Sequence, residues 1–221
     1  METPVDDLDQ RLQDASDPLT DIMPAAITLA MMCRHRTMAN WLRTEFDGYH
    51  VGNQLPPYRI GLPGHIVARS PQYGWIPAPI DDDQKETLGQ QDLHDGVKSL
   101  EKICLACKKG SGHRIAYDPE VLADLQSRIN LSAELAITVS RDTYSDLLRV
   151  IRSTIYLWTQ SLMEAGLGGA HNSLSKEERE QVAHLDDPTL YWRRAMTEVD
   201  SLPVPGVRNV GFLERLFGGA G

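Results

Sequence analysis

The sequence predicts a mainly α fold: a compact helical domain with a few short β-strands in a proline-rich insertion, followed by a small helical C-terminal appendage. Three observations lead there. Apolar residues recur at three- and four-residue steps along most of the chain, and capping or stop residues bracket those runs. Pro56, Pro57, Pro63, Pro71, Pro77 and Pro79 crowd one stretch, where they remove ladder donors and forbid long helices. At 221 residues the chain exceeds the usual size of one domain. The expected division is a main unit over 1–166, a linker over 167–174, and an appendage with a tail over 175–221.

The elements follow in order. Leu8 and Leu12 mark a short leading helix within Asp6 to Asp14, stopped by Asp17-Pro18. Asp21 is the expected cap of a second helix, with Pro24 in its tolerant first turn and apolar residues nearly all round. Thr37 is the expected cap of a third, carrying Trp41, Leu42, Glu45 and Phe46 before Asp47-Gly48 supplies a left-handed stop. From Tyr49 to Asp83 the sequence reads as loops and short edge strands, the best being Gly64 to Ala68 and Tyr73 to Ile76. Leu93, Val97, Leu100, Ile103, Cys104 and Cys107 predict an amphipathic helix from Asp92 to Lys109.

Asp118-Pro119 opens a helix through about Ile129. The run from Ala133 to Ser140 reads as a strand or a helix lead-in. The longest helix is expected from Arg141 to Ala165, with Tyr144, Leu148, Ile151, Ile155, Trp158 and Leu162 on one side. Beyond the linker, Ser175 and Glu178 form a capping box, and Asp187-Pro188 starts a further helix that Leu202 to Gly206 breaks. No internal repeat is visible.

Composition narrows the classes of function. Hydrophobic residues at 41% and charged residues at 24% are ordinary for a soluble globular protein and exclude wholesale disorder. With 22 Lys and Arg against 31 Asp and Glu, the net charge of −9 is the opposite of what phosphate-backbone binding needs, so nucleic acid is not the expected direct ligand. The longest strongly apolar stretch, Ile22 to Cys33, is interrupted by Pro24 and falls short of the ~20 residues that span a bilayer. Acidic residues at the N-terminus do not resemble a secretory signal, and three cysteines do not make a disulfide scaffold, so a reducing cytoplasm is the expected setting.

One block carries more specific information. Asn40-Trp41-Leu42-Arg43-Thr44-Glu45-Phe46-Asp47-Gly48-Tyr49, followed by Leu55-Pro56-Pro57-Tyr58-Arg59, resembles the abortive-infection AbiTii domain of bacterial phage-defence proteins. That pattern runs A-x-W-L-x-x-E-L-x-G-Y and then L-P-P-Y-R, with Phe46 standing here where the family usually has Leu. The resemblance covers about residues 5 to 165, including Val150-Ile151-Arg152 in the later helix. It implies a role in antiviral defence, often beside or fused to a separate effector, and transfers no catalytic residues. Read as side chains, the same block packs Trp41 and Phe46 inward and leads Tyr58 and Arg59 back over the helix, where Glu45 and Arg59 can pair to lock the turn.

Other candidate chemistry is thin. Cys104-Leu105-Ala106-Cys107 has CxxC spacing but supplies only two of the four ligands a zinc site needs, so buried thiols are expected there and no metal or cofactor. The histidines are scattered, with no HExxH. Lys109-Gly110-Ser111-Gly112 only echoes a phosphate loop, because no strand leads into it. Asp81-Asp82-Asp83 reads as a solvated turn. Arg34, Arg36, Arg43, Arg59, Arg149 and Arg152 are candidates for an anion-binding face, against the alternative that they pair with the surplus carboxylates.

The expected function is a non-enzymatic interaction, oligomerisation or regulatory module of an anti-phage system, acting with a partner protein or with itself. Phe212, Leu213, Leu216 and Phe217 are the expected partner-binding residues, since one turn of helix presents all four together. The competing reading is an effector enzyme or toxin, a nuclease or nucleotide hydrolase, with an atypical site built from Glu45, Arg59, His65 and Arg152.

Overall fold

Thr3 opens the first helix, α1 (Pro4–Gln13), in a capping box: its side chain accepts from the Asp6 N–H and Asp6 returns a bond to the Thr3 N–H. The computed structural model describes residues 3–50, 52–108, 110–167 and 174–207. Helix α2 (Leu19–Met32) starts two residues before the expected cap at Asp21, and Pro24 lies inside it. Its real cap comes from far along the chain: the Glu101 carboxylate accepts from the Leu19 N–H at 2.6 Å and the Thr20 N–H at 2.9 Å. Helix α3 (Arg36–Asp47) likewise takes its cap from Asp186, which accepts from Thr37 N–H (3.2 Å) and Met38 N–H (2.8 Å), so Thr37 receives the cap and does not provide it.

Gly48 ends α3 at φ 101°, where a side chain would be strained. The following backbone bridges Gly48 to Asp95, and the Tyr49 N–H donates to His94 O at 2.8 Å. This pairing holds residues 92–96 extended. Helix α5 consequently begins at Val97 and ends at Ala106, shorter at both ends than the Asp92 to Lys109 its apolar spacing predicts.

The proline-rich stretch contributes a 3-10 turn (Pro57–Arg59), strand β1 (Leu62–Ser70) and strand β2 (Gly74–Pro77), the two strands lying where they are expected. Asp81 to Asp83 is not a bare turn: Asp81 caps α4 (Asp82–Leu88) in a box with Gln84. Strands β3 (Gln90–Gln91), β4 (Gly112–Ala116) and β5 (Leu135–Ser140) follow, with α6 (Pro119–Ile129) between the last two. The run before Ser140 is thus a strand. All pairs are antiparallel, in the order β2-β1-β5-β4 with β3 against the start of β1. Ile137 lies opposite Ile66 on one side and Ile115 on the other, and this register turns Ile66, Ala68 and Leu135 toward Leu125 of α6 in a small core of their own.

Helix α7 (Arg141–Glu164) is the axis of the helical part, capped by Ser140. Tyr144, Ile151, Ile155, Trp158 and Leu162 are fully buried along it, and burial of each stabilises the fold by about 1.5–3 kcal/mol. Helices α8 (Lys176–Val182) and α9 (Pro188–Glu198) start at Ser175 and Asp187 as their caps predict. Val182, Tyr191 and Ala195 enter the same apolar cluster as Trp158. Among the described residues, no helix is long and apolar enough to cross a membrane. The chain is mostly helical with a small antiparallel sheet.

Candidate functional site

The signature block builds a closed lock. Glu45 sits in the last turn of α3 and faces inward, and the Pro56-Pro57 segment brings the 3-10 turn back across it, so that Arg59 meets its carboxylate. The Arg59 Nη2 donates to Glu45 Oε2 at 2.6 Å and its Nε to the same oxygen at 3.1 Å. Tyr49 and Tyr58 hydroxyls donate to Glu45 Oε1 at 2.5 and 2.6 Å. The Arg59 Nη1 donates to the carbonyls of Leu93 (2.9 Å) and Asp95 (2.8 Å), and the Trp41 indole N–H donates to the Tyr58 oxygen at 2.9 Å. Both charged side chains are wholly inaccessible. Burial, reinforced by the Glu45 charge, pushes the Tyr58 phenol well above its ordinary value and keeps it a donor. Every group here is consumed in joining α3, the 3-10 turn and the extended strand before α5. It reads as an internal tie between these segments.

The four residues of the enzymatic alternative do not converge. Glu45 and Arg59 are paired inside the lock. His65 is exposed on β1, at a cavity of about 400 Å³ between the sheet and Lys85 of α4. Arg152 is buried against the end of α1, donating to the carbonyls of Leu12 (2.8 Å), Arg11 and Asp14 (2.6 Å each) and Asp17 (2.9 Å). Arg11 O and Asp14 O accept long backbone bonds of 3.3 Å from the Asp14 and Asp17 N–H groups, so the guanidinium adds short bonds that close the C-terminus of α1 and the turn after it. Arg149 holds the last described segment onto α7 through the Val204 carbonyl (3.0 Å) and Asp200 (3.1 Å).

Of the arginines with anion-binding potential, Arg34 and Arg43 come together, with Arg36 between them. They line an open groove of about 700 Å³ at the α2–α3 corner, together with Met31, Ala39 and Asn40. Arg59, Arg149 and Arg152 are elsewhere. A second, smaller groove adjoins it through Arg34 and His35 and is edged by Lys176, Arg179, Glu180 and Ala183. The meeting of Arg179 and Lys176 with Arg34 across some 140 residues of chain is invisible in the sequence. Under the grooves His35 is 1% exposed, its Nε2 at 2.9 Å from the Val182 carbonyl and its Nδ1 accepting from the Trp158 indole N–H at 3.2 Å.

Cys33, Cys104 and Cys107 are buried free thiols, and burial pushes the Cys104 thiol up to about 11. Among the described residues, no group of three His, Cys, Asp or Glu side chains is placed to hold a metal ion. Phe212, Leu213, Leu216 and Phe217 lie outside the described residues.

No curated protein and no solved structure matches the chain. The family model AbiTii matches residues 5–186, most of the 221 and a span that contains the whole lock and the α2–α3 corner. The chain belongs to the AbiTii family, which points to abortive-infection defence against phage.

Proposed function

We propose that this protein serves abortive infection as a non-enzymatic interaction module, working with a protein partner of the same defence system and not by turning over a substrate itself. One observation carries the reading: the polar residues of its signature block, Glu45, Tyr49, Tyr58 and Arg59, are spent on one another and on backbone carbonyls inside the fold. What remains accessible is a cationic corner on an acidic protein, a surface suited to recognition. The apolar face spelled by Phe212, Leu213, Leu216 and Phe217 supplies the second contact, of the helix-in-groove kind. The division into a main unit over 1–166 and an appendage over 175–221 is part of the same proposal, the appendage carrying that contact.

Two experiments test it. Incubating the protein with RNA, DNA, NAD and ATP in the presence of Mg²⁺ is expected to leave all four intact. A turnover abolished by Arg34→Ala or His65→Ala, with the fold preserved, would make it an effector enzyme. Deleting residues 209–221 is expected to remove self- or partner association, read by light scattering and co-purification, while lowering Tm by no more than a few degrees. Loss of folding on that deletion would assign the tail to the core.

A further inference from the structure

The α2–α3 corner has an unusual charge pattern and an unusual backbone. Nine ion pairs tie other Arg and Lys side chains to carboxylates among the described residues, yet Arg34, Arg36, Arg43 and Arg179 have no carboxylate within 4.0 Å. Arg114, Arg193, Lys98, Lys102 and Lys108 also lack an ion pair, but Arg34, Arg36, Arg43 and Arg179 are gathered along two adjoining grooves on a chain of net charge −9. With Lys176 they make five cations along the two joined grooves, against one carboxylate, Glu180, which Lys176 approaches at 3.6 Å. Asp186, the other nearby acid, is occupied in capping α3.

The backbone points the same way. Helix α2 ends in a Schellman turn: the His35 N–H donates to Ala30 O at 2.8 Å and the Arg34 N–H to Met31 O at 3.1 Å. The first residue past the cap in such a turn is left-handed, and glycine is the usual occupant. Here it is Arg34, at φ 62°. The left-handed backbone aims this guanidinium at the junction of the two grooves, and buried His35 beside it holds the turn to α7 and α8.

We propose that this trough binds an acidic peptide segment of a partner protein, its carboxylates engaging Arg34, Arg36, Arg43 and Arg179; the idea deepens the interaction-module reading and rests on it. An extended, shallow row of guanidinium forks matches successive carboxylates on an extended chain, while Met31 and Ala39 offer apolar contact to the stems of acidic side chains. Single-stranded nucleic acid is the weaker fit, because no Phe, Tyr or Trp is among the residues lining either groove, and the one aromatic ring there, His35, is only 1% exposed and so offers no face to stack a base.

The test uses the whole protein and a fluorescein-labelled decaglutamate peptide, followed by anisotropy at low and at near-physiological salt. Binding that weakens with salt is expected, with Arg34→Gly and Arg43→Ala each weakening it about tenfold. Arg34→Gly is expected to do so without lowering Tm, since glycine suits that backbone better; a structural role for Arg34 cannot give that combination. Arg69→Ala, which removes an exposed arginine paired with Glu134, is the control and is expected to bind as the parent does. No binding, equal weakening by Arg69→Ala, or tighter binding of a decamer RNA would overturn the proposal. Self-association lost on Arg34→Gly would also overturn it, assigning the trough to a second copy. If the peptide fails to bind and RNA, NAD and ATP stay intact, the trough proposal fails and the module reading stands; turnover in those assays defeats the module reading whatever the peptide does.

Discussion

The Trp158 indole N–H donates to His35 Nδ1 at 3.2 Å, which fixes the His35 proton on Nε2, where it meets the Val182 carbonyl at 2.9 Å. One neutral imidazole therefore joins the α2–α3 corner, the middle of α7 and the end of α8. Protonating it would leave two N–H donors facing one another.

A pH dependence follows. Burial holds the His35 imidazole below its ordinary value of 6.5, opposed by the Asp186 charge and the Val182 carbonyl and helped by neighbouring His184. A base whose folded value is depressed contributes stability that is complete above the unfolded value and is lost as pH falls through about 6.5 toward the folded value. Urea midpoints from pH 8 to 5 are expected to fall more steeply for the parent than for His35→Gln, by up to about 1.4 kcal/mol per pH unit. Parallel curves would show that His35 does not titrate between the two states.

Breaking the Glu45–Arg59 pair leaves an uncompensated charge in a site with no solvent access. Arg59→Ala and Glu45→Gln are each expected to destabilise by about 3–5 kcal/mol, if the protein still folds. Replacing both at once with apolar residues is expected to cost markedly less than the sum of the single changes, because the orphaned charge disappears. Additive losses in a double-mutant cycle would mean the two side chains act independently.

Arg34→Gly relieves a left-handed conformation that disfavours side chains. The expected gain is up to about 1 kcal/mol, read as a raised midpoint in denaturant. A clear loss of stability would mean that the Arg34 side chain packs as part of the fold.

Helix α3 depends on a cap supplied by a residue almost 150 positions later, through Thr37 and Met38. Asp186→Ala is expected to cost about 1 kcal/mol, and Asp186→Asn less than half of that, as for ordinary N-caps. Hydrogen exchange at the Met38 amide should accelerate in the alanine variant. An unchanged rate would show that the cap bond is not made in solution.

Helix positions were legible wherever an apolar stripe of three or more turns met a local start signal: a side-chain cap in α7 and α9, a first-turn proline in α6. Legibility failed where the determinant was remote. Periodicity alone extended α5 back to Asp92, but Arg59 O takes the Leu93 N–H and Gly48 bridges Asp95, so the chain there belongs to the lock. Strand β4 passed unseen because its five residues, Gly-His-Arg-Ile-Ala, have little pattern of their own; its order comes from pairing with β5. The Glu45–Arg59 pair was readable from the signature block, whereas the gathering of Arg34 with Arg179 was not.

By itself, the order of residues decided what short-range physics decides: the helical stripes, the capping boxes at Ser175 and Asp81, the glycine stop at Gly48, the excess of acid, and the motif that marks the family. Tertiary structure alone decided which arginines are used up and which are left over. Arg59 and Arg152 vanish into carboxylate and carbonyl partners, while Arg34, Arg36 and Arg43 are exposed and half-buried Arg179, whose Nη1 donates to the Leu174 carbonyl, joins them along the grooves without a carboxylate partner. The physical reason is that a guanidinium's role depends on which acceptors reach hydrogen-bonding distance, and those acceptors come from other segments, 14 to 36 residues away for Arg59 and 135 to 141 away for Arg152.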